Sequence, residues 1–364
     1  MKKFIVLFGV LSVVSVALAG GKEVVPKPEA VVVREVVVEK TTDSEIPSGY
    51  VELYYEWRGK SGAHKKYGSK DYLTSNYGFS HLEGEIQFTE KQKIYFEVED
   101  FSPWSSPRAN DTWETEETHT DLTLEYTYQH DFLGGMASKL IYKNNDVGNG
   151  GAEEATGHVL EYQAQWNLAE KLLNNDFIKT TDFTIAPKIG YNWNKNSDWS
   201  APGEYYYQDT YYGLDLYSTY ELPWNFEIEF NLYFTQHSYN RRLSSNENKK
   251  KNFTAAMELY LFNTTKLVEF GQTTLSFYFE GGYDPYTYSQ RKIFAHDVLA
   301  SSKDDNSSYT LYALPALRLD YQATDKLGIY FVAGARMENI HTTASEAQGF
   351  QFQPVAQIGF KIEF

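Results

Sequence analysis

From Tyr50 to the terminal Phe364, apolar and polar residues alternate in run after run, and a period of two belongs to strands. The last run, Q-F-Q-P-V-A-Q-I-G-F-K-I-E-F, is the clearest. Phe352, Pro354, Ala356, Ile358, Phe360, Ile362 and Phe364 share one parity; Gln351, Gln353, Gln357, Lys361 and Glu363 share the other. Such a strand has one oily face and one wet face. A soluble chain rarely ends on an aromatic strand, because termini fray. If the strand closes a barrel in lipid, the oily face meets hydrocarbon and the wet face lines the inside.

About fourteen such runs are expected, with 12–16 as the range, each long enough for a tilted membrane strand of about 9–11 residues. They are Tyr50–Arg58, Tyr77–Phe88, Lys93–Phe101, Thr118–His130, Met136–Lys143, Gly157–Leu168 and Asp182–Trp193, then Tyr206–Leu222, Phe226–Thr235, Phe253–Phe262, Thr273–Asp284, Tyr309–Tyr321, Leu327–Glu338 and Phe350–Phe364. The connections alternate in length. Thr89–Gln92, Asp131–Gly135, Pro223–Asn225 and Ala323–Lys326 are tight, whereas the intervening ones are long and rich in Ser, Asn, Asp and Gly. Ala169–Thr181 and Asn263–Gln272 are expected to be longer than this rule allows. The pattern predicts an all-β, transmembrane, antiparallel up-and-down β-barrel with short periplasmic turns and long extracellular loops. A soluble sandwich or solenoid shares the alternation. It would need a second layer to cover a stripe such as Phe226-Ile228-Phe230-Leu232-Phe234.

The start of the chain agrees. Lys2 and Lys3, the apolar run Phe4–Leu18 and Ala17-Leu18-Ala19 read as a signal peptide over 1–19, cleaved between Ala19 and Gly20. Residues 20–49, with two valine triplets and none of the later aromatics, read as a periplasmic extension. Pairing as a short strand, insertion in the lumen and a loose leader all remain open for it. Residues 50–364 form the barrel domain, and the expected location is the outer membrane, reached through the periplasm.

Mean hydropathy is polar at −0.51, yet 16% of residues are aromatic, led by 30 Tyr and 23 Phe. A lipid-facing barrel reconciles the two, since its faces cancel and aromatics gather at both interfaces. The absence of cysteine excludes thiolate catalysis, iron–sulfur clusters and a disulfide scaffold. A net charge of −16 argues against nucleic acid as a partner.

The polar parity then gives the interior. The first three strands contribute Glu52, Glu56 and Arg58; His81, Glu83, Glu85 and Gln87; Lys93, Tyr95, Glu97 and Glu99. Later strands add Glu125, Lys139, Lys143, Glu161, Lys188, Asp215, Glu221, Glu227, Glu229, Glu258, Tyr260, Glu280, Arg318, Asp320, Arg336 and Lys361. Eight strands are filled by their own side chains while sixteen leave an aqueous channel, so about fourteen predict a narrower water path. So charged an interior cannot be dry. Acidic groups outnumber basic ones, which predicts passive diffusion of small hydrophilic solutes and ions with a modest cation preference. The rival is a barrel adhesin or scaffold whose lumen is blocked because Arg318, Arg336, Lys139 and Lys188 each neutralise a neighbouring carboxylate.

Asn144–Thr156, with Asp146, Glu153 and Glu154, is a candidate constriction loop folded into the pore, by analogy with general porins. Phe360, Ile362 and Phe364 resemble the terminal signal read by the barrel-assembly machinery. An enzyme is not expected. The eight histidines, at 64, 81, 119, 130, 158, 237, 296 and 341, hold no metal-ligand spacing, and no G-x-S-x-G elbow is present. No catalytic residue, metal or cofactor is assigned.

Gly21–Lys40, the turn Phe88–Gln92 (F-T-E-K-Q), Glu280–Asp284 (E-G-G-Y-D) and Gln353–Phe364 resemble the major outer-membrane porin of fusobacteria, the FomA type. The resemblance runs the length of the mature chain on short motifs. It implies a general-diffusion porin, a homotrimer of β-barrels; outer-membrane lipid is the expected surrounding, and the basic run Arg241-Arg242 and Lys249–Lys251 in an outer loop is placed to meet lipopolysaccharide.

Overall fold

The computed structural model describes residues 47–59, 62–63, 77–103, 117–132, 134–149, 154–197, 204–240, 250–291, 306–339 and 350–364. Fourteen long strands follow one another. They are β1 Ser48–Arg58, β2 Tyr77–Thr89, β3 Gln92–Pro103, β4 Glu117–Gln129, β5 Ala137–Asn149, β6 Glu154–Asn167 and β7 Ile178–Ser197. The second half is β8 Glu204–Leu222, β9 Phe226–Tyr239, β10 Lys251–Phe270, β11 Thr273–Ser289, β12 Ser307–Thr324, β13 Leu327–Asn339 and β14 Phe350–Glu363. Each pairs antiparallel with its sequence neighbours, and β14 returns to β1, closing the barrel. Two short pairings, of Gly62–Ala63 with β14 and of Asn174–Asn175 with β7, decorate it.

The closing seam runs from Tyr50↔Glu363 to Arg58↔Val355. Phe364 locks its end: its N–H donates to Gly49 O at 3.0 Å, and the Gly49 N–H donates to Phe364 O at 2.9 Å. Closure leaves no unpaired edge, the condition for holding a sheet in hydrocarbon. Gly49 belongs to this ladder, so the barrel begins at Ser48, two residues before the expected boundary. The signal peptide, its Ala19–Gly20 junction and the extension as far as 46 lie outside the described residues.

Strand count and order match the alternation, and most strand starts fall within two residues of it, but β5, β7, β9, β10 and β11 end four or more residues later than expected. Three connections differ. β10 continues through Asn263–Phe270 to a turn at Gly271-Gln272, so the expected long link there is a hairpin. Gly271 takes φ +64° in that turn. The link after β6 is shortened by a 3-10 turn at Ala169–Lys171 and by the start of β7 at Ile178. Beyond the last turn of β5, Asp146 pairs with Thr120 and Thr156 through its backbone, and the strands leave only 150–153 between them. Asp146 and Glu154 are therefore on paired strands rather than in an inward loop, and Glu153 lies outside the described residues. Backbone pairing is not written in side-chain alternation, so ladders outlast the pattern where the alternation lapses.

One glycine is indispensable to the wall. Gly282 has φ +154° beside a bulge between β10 and β11, and a Cβ there would stand 1.7 Å from Leu259 O. Only glycine fits.

Candidate functional site: the inner wall

Burial is inverted relative to a soluble protein. Asp215 and Glu280 are 1% exposed, while Ile189 and Ile358 are 56% exposed. All the candidate lining residues but the exposed Lys143 are buried or half-buried. The buried ones are Glu52, Glu56, Arg58, Glu83, Glu99, Asp215, Glu280, Arg318 and Arg336. Glu85, Glu97, Glu125, Lys139, Lys188, Glu229, Glu258 and Asp320 are half-buried. Phe360, Ile362 and Phe364 are exposed on the outward parity.

Register gathers the charges into distinct arcs. On β1–β3, Glu52, Glu83 and Glu97 stand side by side in one row. His81, Glu99 and Asp121 form the next row, continuing onto β4. His81 lies between carboxylates, with Nδ1 2.9 Å from Glu99 Oε1 and Nε2 3.3 Å from Glu83 Oε2. The Tyr95 hydroxyl is 3.1 Å from both Glu83 Oε2 and Glu97 Oε2. Toward the turns, Lys93 pairs with Glu85 at 2.7 Å and Lys139 with Glu125 at 2.7 Å.

Arginines occupy the adjoining arc. Arg58 Nε binds Glu56 at 2.6 Å, Arg318 Nε binds Asp320 at 2.8 Å, and Arg336 Nε binds Glu338. Each guanidinium also lies over an aromatic ring: Arg318 over Tyr330 at 4.1 Å, Arg336 over Tyr312 at 4.0 Å and Arg58 over Phe79 at 5.5 Å. Planar, weakly hydrated guanidinium suits that stacking better than ammonium does. Tyr312 donates to Glu280 Oε1 at 2.6 Å, and Tyr330 donates to Glu52 Oε1 at 2.7 Å. Tyr330 reaches Glu52 by lying across Gly359, where a Cβ would stand 2.4 Å from its ring.

A third group sits on β6–β8. Lys188 Nζ is 2.9 Å from Asp215 Oδ1 and 3.7 Å from Glu161 Oε2. Tyr211 donates to Glu161 at 2.8 Å, and Gln163 Nε2 donates to Glu161 at 2.6 Å and to Asp215 at 3.2 Å. Farther round, Tyr233 donates to Glu258 at 2.5 Å, and Asn231 Nδ2 to Glu229 at 2.6 Å.

The interior is unevenly filled. Along β11–β14 and β1–β2 it holds a buried apolar cluster that includes Tyr54, Phe79, Tyr278, Leu314, Tyr330 and Val332. A cavity of about 10 Å³ remains there between Arg58, Glu56, Glu280, Arg336 and Gln357. That is room for about one water. Arg336 Nη1, Gln353 Nε2 and Gln357 Nε2 have no acceptor among the described residues, so solvent must serve them. On the β3–β5 side the wall is open to water: Lys143 is exposed, and Glu97, Glu125 and Lys139 are half-exposed.

Sequence reasoning named the charged residues but not the aromatic side chains beside them, Tyr54, Phe79, Tyr278, Tyr312 and Tyr330. Parity contained the signal, since Tyr54 alternates with Glu52 and Glu56, and Tyr278 precedes Glu280 by two.

No family model matches the chain, and no curated protein matches it. Solved structures similar to it are outer-membrane proteins. CdiB from Acinetobacter baumannii aligns at a TM-score of 0.45 and 8% identity, covering 87% of this chain and 60% of that one. The CymD monoaromatic hydrocarbon channel gives 0.39 and 9%, covering 87% and 89%. The toluene transporter TodX of P. putida gives 0.35 and 9%, covering 87% and 89%. Likeness at this level carries no activity from those proteins to this chain.

Proposed function

We propose that this chain is an outer-membrane porin, a water-filled channel for passive diffusion of small hydrophilic solutes and ions with a modest cation preference. The observation that carries the reading is the inverted burial of a closed barrel. Apolar side chains such as Ile189 and Ile358 point outward, and carboxylates and guanidiniums line the inside. Lipid suits the first face and water the second. The orphan donors of Arg336, Gln353 and Gln357 and the exposed Lys143 support a wet interior. The acidic rows on β1–β4 beside the arginine arc support a charge-lined constriction, with cations concentrated at the acidic side. Assembly through the terminal Phe360-Lys361-Ile362-Glu363-Phe364, a homotrimeric state and contact with lipopolysaccharide complete the proposal.

A closed scaffold or surface adhesin is the second reading. It is favoured by the packed arc on β11–β2 and by the pairing of Arg318, Arg336, Lys139 and Lys188 with neighbouring carboxylates. Reversal potentials in planar bilayers under a salt gradient test the selectivity. The proposal expects a modest cation-selective potential; clear anion preference contradicts it.

A further inference from the structure

We propose that His81, Glu97 and Glu99 form a divalent-cation site in the inner wall, suited to a first-row ion such as Zn2+. One candidate ligand atom from each lies within 4.8 Å of the others. Donors around a tetrahedral Zn2+ stand about 3.4 Å apart, so closing the shell takes side-chain shifts that bring the atoms together by up to about 1.5 Å. The donor set, one imidazole and two carboxylates, favours zinc-like ions over Ca2+ or Mg2+, which prefer all-oxygen shells. His81 and Glu99 are buried and Glu97 is half-exposed, which gives the site an entry from the lumen.

A second observation points to the same place. Tyr54, the cross-strand partner of His81, stacks on its ring at 4.6 Å and 15°. Tyr54 is 2% exposed, and its hydroxyl has no hydrogen-bond partner among the described residues. A buried, unserved oxygen beside a ligand cluster is placed to hold a metal-bound water. The site deepens the porin reading, because entry from solution needs a wet lumen.

The test is equilibrium Zn2+ binding to the purified full-length protein in detergent, by competition with a chromogenic chelator. Wild type, H81N, E97Q and H130N are compared after each is shown to be folded. E97Q changes a half-exposed residue, so it keeps the test open if H81N fails to fold. The expected result is one ion per chain, weakened at least about tenfold in H81N and E97Q and unchanged in H130N. Wild-type binding no tighter than millimolar, or equal binding by folded E97Q, overturns the site. Zn2+ should also reduce wild-type bilayer current but leave E97Q current unaffected. Current without Zn2+ binding removes the site and keeps the pore; Zn2+ binding without current keeps the site and removes the pore.

Discussion

Replacing Lys188 by methionine removes a buried cation from between two carboxylates and keeps most of the side chain's volume. Lys188 and Glu161 have side chains 9% and 10% exposed, and Asp215 is 2% exposed, so all three are largely desolvated. At the observed 2.9 and 3.7 Å, the gross attractions are about 6 and about 4.5 kcal/mol with an effective dielectric of about 20. Desolvation offsets much of that in the native protein. The variant keeps the desolvation of Asp215 and Glu161 without the attraction, and the expected loss is about 3–5 kcal/mol. Urea unfolding from phospholipid vesicles, monitored by tryptophan fluorescence, measures it. K188M combined with D215N should recover a substantial part, because the nearer and more deeply buried of the two orphan carboxylates is gone. A K188M loss below about 1 kcal/mol, the size of an exposed pair, would refute the reasoning and show the β6–β8 wall to be bathed in bulk water.

Other predictions probe the wall from different sides. Gly359→Ala should displace Tyr330 from Glu52 and cost about 1–3 kcal/mol of overpacking in the same assay; Ala tolerated without loss would show that the tyrosine does not need that floor. Ile358→Arg should cost about 2–4 kcal/mol in a bilayer, against within about 0.5 for an exposed residue of a soluble protein, so a near-neutral result would place the outward parity in water. Deleting Phe364 removes the last rung of the β1–β14 seam and should impair membrane assembly while secretion to the periplasm continues; normal assembly counts against a terminal signal.

Alternation carried the architecture because the same parity decides which face meets lipid, and a one-residue slip would invert every strand. That is why Phe226–Phe234 and Phe352–Phe364 could be assigned from sequence, along with the seam between β14 and β1. Strand ends were less legible. Asn263–Phe270 and Asn144–Asn149 break the regular alternation, yet their backbones stay paired. The candidate constriction loop failed for that reason. Pairing partners within the inner wall were only partly legible. Arg318–Asp320 and Arg336–Glu338 sit two residues apart on one strand, visible in the chain itself. Lys188–Asp215 depends on register between β7 and β8, where Ala186 faces Asp215, and no local pattern encodes it. The inward tyrosines were hidden by a general expectation that barrel aromatics gather at lipid interfaces.

The central claim is that the charged interior conducts. Single-channel recording of the purified protein in a planar lipid bilayer tests it directly. The account predicts stable open steps, whereas membranes that contain folded protein and stay silent would contradict it and leave the closed scaffold.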